Sequence, residues 1–239
     1  MPQERRPTPF DYDDPVFRSG VGYDVAYRHL ILKDEFRDAH PLVADRLALV
    51  GAAPVLDMGC GQGALGTQLD VRGVAWVGVD RSPTQLSKGH GPRVLGDARS
   101  LPFPDAAFGA VAALYMLYHF EDPLLPLQEA RRVLRPGGVF VACAPSRFDM
   151  PELRRHLPDA PIDTFDSENA PELIGRVFVD VEVEPWDMLL VRLPSRAAVW
   201  AYLRGMQVPP EQAEDVARRV QTPLWVRKRG AVVWARKPA

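Results

Sequence analysis

Residues 55–66 read VLDMGCGQGALG, an apolar run that ends in an acid, Asp57, and opens into glycines at 59, 61 and 63. Glycine tolerates positive φ and lets a ligand approach the backbone with no Cβ in the way, so the turn is a candidate binding loop. A P-loop needs Lys and Ser/Thr after its last glycine, and Ala64 and Leu65 stand there instead. Gly61, Gly63 and Gly66 do satisfy the dinucleotide pattern G-x-G-x-x-G. Asp57, however, lies where a pyrophosphate would sit, and a carboxylate there repels phosphate and attracts an ammonium. A second acid, Asp80, closes the next apolar run, AWVGVD, and a third, Asp97, closes PRVLGD. At the end of a second strand a carboxylate can accept both hydroxyls of a ribose. Either Asp57 or Asp80 alone could instead cap the turn or helix that follows it. Taken together, the turn suits a ligand with a ribose and a cation but no phosphate.

The elements that must position these acids follow from periodicity. Apolar spacing from Tyr23 to Val50 is helical, with a break near Pro41. Short β-type runs then alternate with helices: PVLDMG (54–59), AWVGVD (75–80), PRVLGD (92–97), FGAVAALYM (108–116), the helix PLLPLQEARRVLR (123–135) and the strand GGVFVACAP (137–145). Near-continuous apolar strands separated by helices predict an α/β fold whose parallel sheet has helices on both faces. Residues 173–193 supply one or two more strands, a helix is capped by Ser195, another covers PPEQAEDVARRV, and 223–238 form a strand pair or one long strand. The expected organisation is an N-terminal helical segment over 1–50 and one domain over 51–239, with lid insertions around 146–170 and 194–221. Net charge is -2 among 239 residues, which argues against a nucleic-acid partner. Two cysteines without partner spacing, no signal-like N-terminus and no long apolar window predict a cytoplasmic protein without a membrane span or a metal site.

Four stretches in order, VLDMGCGQG, GVDRS, GDARSLPFPDAAFGAV and EARRVLRPGGVFV, resemble the class I S-adenosylmethionine-dependent methyltransferases of the small-molecule type, close to the ubiquinone and menaquinone C-methyltransferases. The resemblance covers about Val55 to Ala144. It implies a Rossmann-like, seven-stranded, mostly parallel sheet whose last strand is antiparallel. It also implies S-adenosylmethionine as cofactor and S-adenosylhomocysteine as product. Carried over by residue, Asp57 and the backbone of Gly59, Cys60 and Gly61 face the methionine part. Asp80 binds the ribose, Arg81 flanks the adenine, Asp97 and Ala98 read the adenine edge, and Leu114 offers its carbonyl to the amino group.

The acceptor side is less defined. LYMLYHFEDP places Tyr115, Tyr118 and His119 after the fourth strand, where His119 could act as a base at neutral pH and an aromatic face could stabilise a sulfonium. Tyr23 and Tyr27 share one helix face, and Phe148 opens the segment after the fifth strand; these are candidates for an acceptor pocket. Core packing is the competing reading for all of them. No Asn/Asp-Pro-Pro-aromatic stretch follows the fourth strand. The expected partner is therefore a small, apolar or aromatic acceptor, methylated on carbon or oxygen by a monomer or homodimer. An RNA base methyltransferase and a non-catalytic binding protein of the same fold are the alternatives.

Overall fold

The computed structural model describes residues 39–158, 164–206 and 208–239. Its first element is helix α1 (Ala39–Leu49), followed by β1 (Val55–Met58), α2 (Ala64–Val71), β2 (Trp76–Asp80), α3 (Pro83–Lys88), β3 (Arg93–Leu95) and β4 (Phe108–Leu114). A 3₁₀ turn (Leu117–His119) leads to α4 (Leu124–Val133), β5 (Leu134–Pro145), α5 (Pro151–Arg154) and α6 (Ala170–Gly175). β6 (Val179–Leu193), α7 (Arg196–Gly205), α8 (Pro210–Arg219) and β7 (Leu224–Arg236) complete the chain.

The seven strands form one sheet in the order β3-β2-β1-β4-β5-β7-β6. Neighbours from β3 to β5 are parallel, and β7 runs antiparallel to β5, from Val139 opposite Arg236 to Pro145 opposite Gly230. β1 lies between β2 and β4, with Asp57 opposite both Gly78 and Ala112. The order reverses beside β1, and ligands of open parallel sheets bind at that point, beyond the carboxyl ends of the strands. The expected Rossmann-like, mostly parallel sheet is therefore present.

The chain divides into two compact units. The larger contains, among the described residues, 39–147, 164–185 and 230–239. Its core joins Leu56, Val111, Phe140 and Ala142 of the sheet to Leu127 and Val133 of α4, and the rings of Phe140 and Phe178 stack at 4.5 Å. Each such buried side chain contributes roughly 1.5–3 kcal/mol relative to exposure. The smaller unit contains 148–158, 186–206 and 208–229, with its own core of Met150, Leu193, Val199, Tyr202, Val216 and Val226. Asp149 is buried there, where it accepts from Lys228 Nζ and from the Arg229 N–H.

Three local features bear on the periodicity reading. α1 begins at Ala39, so Pro41 stands in its first turn, where the N–H has no intrahelical acceptor; the helix expected before the break lies outside the described residues. Residues 173–178, read as strand, finish α6 and its turn, and β6 begins only at Val179. β7 is one long strand, the second of the two forms expected for 223–238. The cap at Ser195 is as expected, its side chain accepting from the Ala198 N–H at 3.2 Å. Among the described residues no helix is long and apolar enough to cross a membrane.

Candidate functional site

β1 delivers Asp57 to its carboxyl end, and the chain then turns back over β2. The N–H groups of Gly59 and Cys60 both donate to the Val79 carbonyl, at 2.8 and 3.1 Å. Gly61 has φ +50, and a Cβ built on it would stand in open space, so the floor above the turn is bare backbone. Gly66, inside α2, has a packing role: a Cβ there would lie 2.2 Å from the Trp76 ring, which fills the gap between α2 and β2. The pattern of three glycines thus combines a binding turn with close helix–strand contact.

Asp80 joins the two turns. One of its carboxylate oxygens accepts from the Gly61 N–H and the other from the Ser82 N–H, both at 2.8 Å. Ser82, not Asp80, caps α3, accepting from the Gln85 N–H at 3.2 Å. Each Asp80 oxygen keeps a second acceptor position. The carboxylate can therefore receive a pair of hydroxyls while still holding both turns.

Asp57 is 4% exposed. Burial pushes its carboxyl up to about 7 from the ordinary 3.8, Asp80 adds to the shift, and the charge of His40 opposes it. Burial likewise raises the Cys60 thiol, whose sulfur packs where a Cβ on Gly78 would stand and donates to the Gly61 carbonyl at 3.8 Å. A buried carboxyl in this state gains from a cation placed beside it.

Asp97 lies beyond β3, where the Arg99 guanidinium and backbone N–H hold its carboxyl below the usual range, aided by the charge of Arg81. Arg81 and Asp97 are therefore within electrostatic reach of one another, and Ala98 beside them is buried. Leu114 ends β4 opposite Cys143 of β5. Tyr115 follows in a left-handed conformation, φ +56, with its N–H bonded to the Cys143 carbonyl at 2.9 Å. Such a backbone costs about 1–3 kcal/mol and persists where its surroundings impose it. Tyr118 and His119 lie in the 3₁₀ turn with ring centroids 4.5 Å apart.

Asp57, Gly59, Cys60, Gly61, Asp80, Leu114 and Tyr115 thus gather at one end of the larger unit, around the ends of β1, β2 and β4. Phe148 belongs to the smaller unit, where it is 60% exposed. Tyr23 and Tyr27 lie outside the described residues. Sequence reasoning passed over His40, whose ring lies 5.9 Å from that of Tyr115. Helical periodicity carried no signal for it, because its importance comes from residues 17 and 75 positions away.

The fold and the turn together define the class: a Rossmann-like domain with acids at the ends of β1 and β2 beside a turn of bare backbone. Residues 56–142 match the family model described as methyltransferase domain. A fatty-acid O-methyltransferase of Mycolicibacterium smegmatis is 30% identical over 74% of this chain and 59% of its own length. The 27-O-demethylrifamycin SV methyltransferase of Amycolatopsis mediterranei is 28% identical over 80% of this chain and 67% of its own. A solved SAM-dependent methyltransferase of Archaeoglobus fulgidus shares the fold with a TM-score of 0.54 at 19% identity, covering 86% of this chain and 97% of that one. The chain spans 59%, 48% and 44% of the length of the first three curated relatives it matches.

Proposed function

We propose that this protein is an S-adenosylmethionine-dependent methyltransferase acting in the cytoplasm on a small apolar acceptor, with oxygen as the methylated atom. The observation that carries the cofactor half is the buried, cation-seeking Asp57 beside a turn floored by bare backbone and tied to Asp80. When bound, S-adenosylmethionine supplies an electrophilic methyl group on a sulfonium. In this reading Asp57 and the Gly59–Gly61 backbone hold its amino-acid end, with the Leu114 carbonyl beside the ammonium. Asp80 takes the ribose hydroxyls, and Arg81, Asp97 and Ala98 enclose the adenine.

The preference for oxygen rests on how far each relative extends. The two O-methylating relatives, by name, align over 74% and 80% of this chain. Demethylmenaquinone methyltransferases align over 40%, little more than the cofactor segment. Similarity that continues past the cofactor half favours a hydroxyl or carboxylate acceptor over a quinol carbon. Tyr115 and Tyr118 shape the apolar wall, and His119 takes the proton from an acceptor hydroxyl. Holding the acceptor in line with the departing bond provides most of the catalysis.

The test is transfer of a labelled methyl group to three acceptors: a long-chain fatty acid, an alcohol-bearing polyketide and a naphthoquinol. Label in a base-labile ester or in an ether supports the proposal. Label on the naphthoquinol carbon alone, or in none of the three, overturns it.

A further inference from the structure

The amino-acid end of the site contains a basic side chain that no glycine-turn pattern requires. His40 is the second residue of α1, and its ring centroid lies 5.9 Å from that of Tyr115, with the planes at 43°. Tyr115 is held in place, its left-handed backbone fixed by the bond to the Cys143 carbonyl. Asp57, nearly fully buried, is the third residue of β1 and stands opposite Ala112 of β4. An imidazole, a phenol ring and a buried carboxyl thus converge at the ends of β1 and β4.

An α-amino acid is a zwitterion, and the groups already assigned to this end of the ligand suit only half of it. Asp57 receives the ammonium, but a ligand carboxylate brought in with it would face Asp57 and Asp80, both acids. Among the described residues, the charge of His40 opposes the shift of Asp57 and that of Asp80 adds to it. We propose that His40 anchors the carboxylate of the bound amino-acid moiety, forming with Asp57 a two-charge receptor that distinguishes ligands carrying the amino acid from ligands cut short at the thioether. This rests on the cofactor reading above and adds a residue and a selectivity to it. Tyr115 keeps the imidazole in register by packing against its ring, and the burial of Asp57 makes the opposite charge worth more than it would be in water.

The experiment is calorimetric titration of the full chain with S-adenosylhomocysteine and with 5′-methylthioadenosine, which retains the nucleoside and thioether but lacks the amino acid. His40→Gln is expected to weaken S-adenosylhomocysteine by about tenfold or more, the size of a lost charge-assisted hydrogen bond, and to leave 5′-methylthioadenosine unchanged. Asp80→Ala is expected to weaken both ligands. Unchanged 5′-methylthioadenosine binding also shows that the His40 variant is folded. Equal losses for both ligands, or no loss for either, overturn the assignment of His40 while the nucleoside site stands. If the unaltered chain binds neither ligand, the cofactor reading fails and the assignment of His40 with it.

Discussion

Replacing Asp57 by Asn keeps the shape of a buried side chain and removes its ionisation. The Asp57 carboxyl titrates near 7 in the folded chain against 3.8 when unperturbed, mainly because burial disfavours the charge. Between those two values the folded state holds a proton that the unfolded state has released, so stability falls as pH rises through the window. Below it both states are protonated; above it both are ionised and the full loss is present. Roughly three pH units at about 1.4 kcal/mol each give a loss of about 4 kcal/mol from this one group. Carboxylates remote from Asp57 cancel in the difference between the unaltered chain and Asp57→Asn, which therefore reads Asp57 together with its coupling to Asp80 and His40. Urea unfolding at intervals from pH 4 to 8 should show the variant gaining on the unaltered chain by about 4 kcal/mol across the range. Saturating S-adenosylhomocysteine should reduce that gain, because its ammonium supplies the missing counter-charge. A difference that stays flat with pH would refute the argument that Asp57 is an uncompensated buried acid waiting for a cation.

Asp80→Ala should cost about 1–3 kcal/mol in urea unfolding, because the N–H groups of Gly61 and Ser82 both lose their acceptor. Gly66→Ala should cost about 1–3 kcal/mol, since its Cβ would meet the buried Trp76 ring, itself pinned by its Nε1–H bond to Asp70 at 2.7 Å; thermal unfolding reads this directly. Ser195→Ala should lower stability by about 1 kcal/mol through loss of the α7 cap, and leave S-adenosylhomocysteine affinity unchanged.

The cofactor half of the molecule was readable because its physics is local. Parallel strands buried on both faces show as apolar runs, and Asp57, Asp80 and Asp97 stand where those runs stop. Gly61 and Ser195 likewise declare themselves through turn and cap chemistry within a few positions. β6 was harder to delimit: it is the sheet's edge strand, Val179, Val181 and Val183 alternate with acids, and the apolar residues leading into it belong to α6 and its turn. Asp80's double backbone bond and the meeting of His40 with Tyr115 and Asp57 arise only when distant segments fold together, so no window of sequence contains them. The division of the chain after Arg147 and again at Trp186 and Gly230 was hidden for the same reason, since two continuous strands, β6 and β7, each contribute to both units.

The central claim is that the turn at 59–61, with Asp57 and Asp80, holds the nucleoside and amino acid of S-adenosylmethionine. Calorimetric titration with S-adenosylhomocysteine, in the unaltered chain and in Asp80→Ala, tests it most directly. The account predicts one site per chain in the unaltered protein and no measurable binding in the variant. Absence of binding to the unaltered chain, or the same affinity in both, would contradict it.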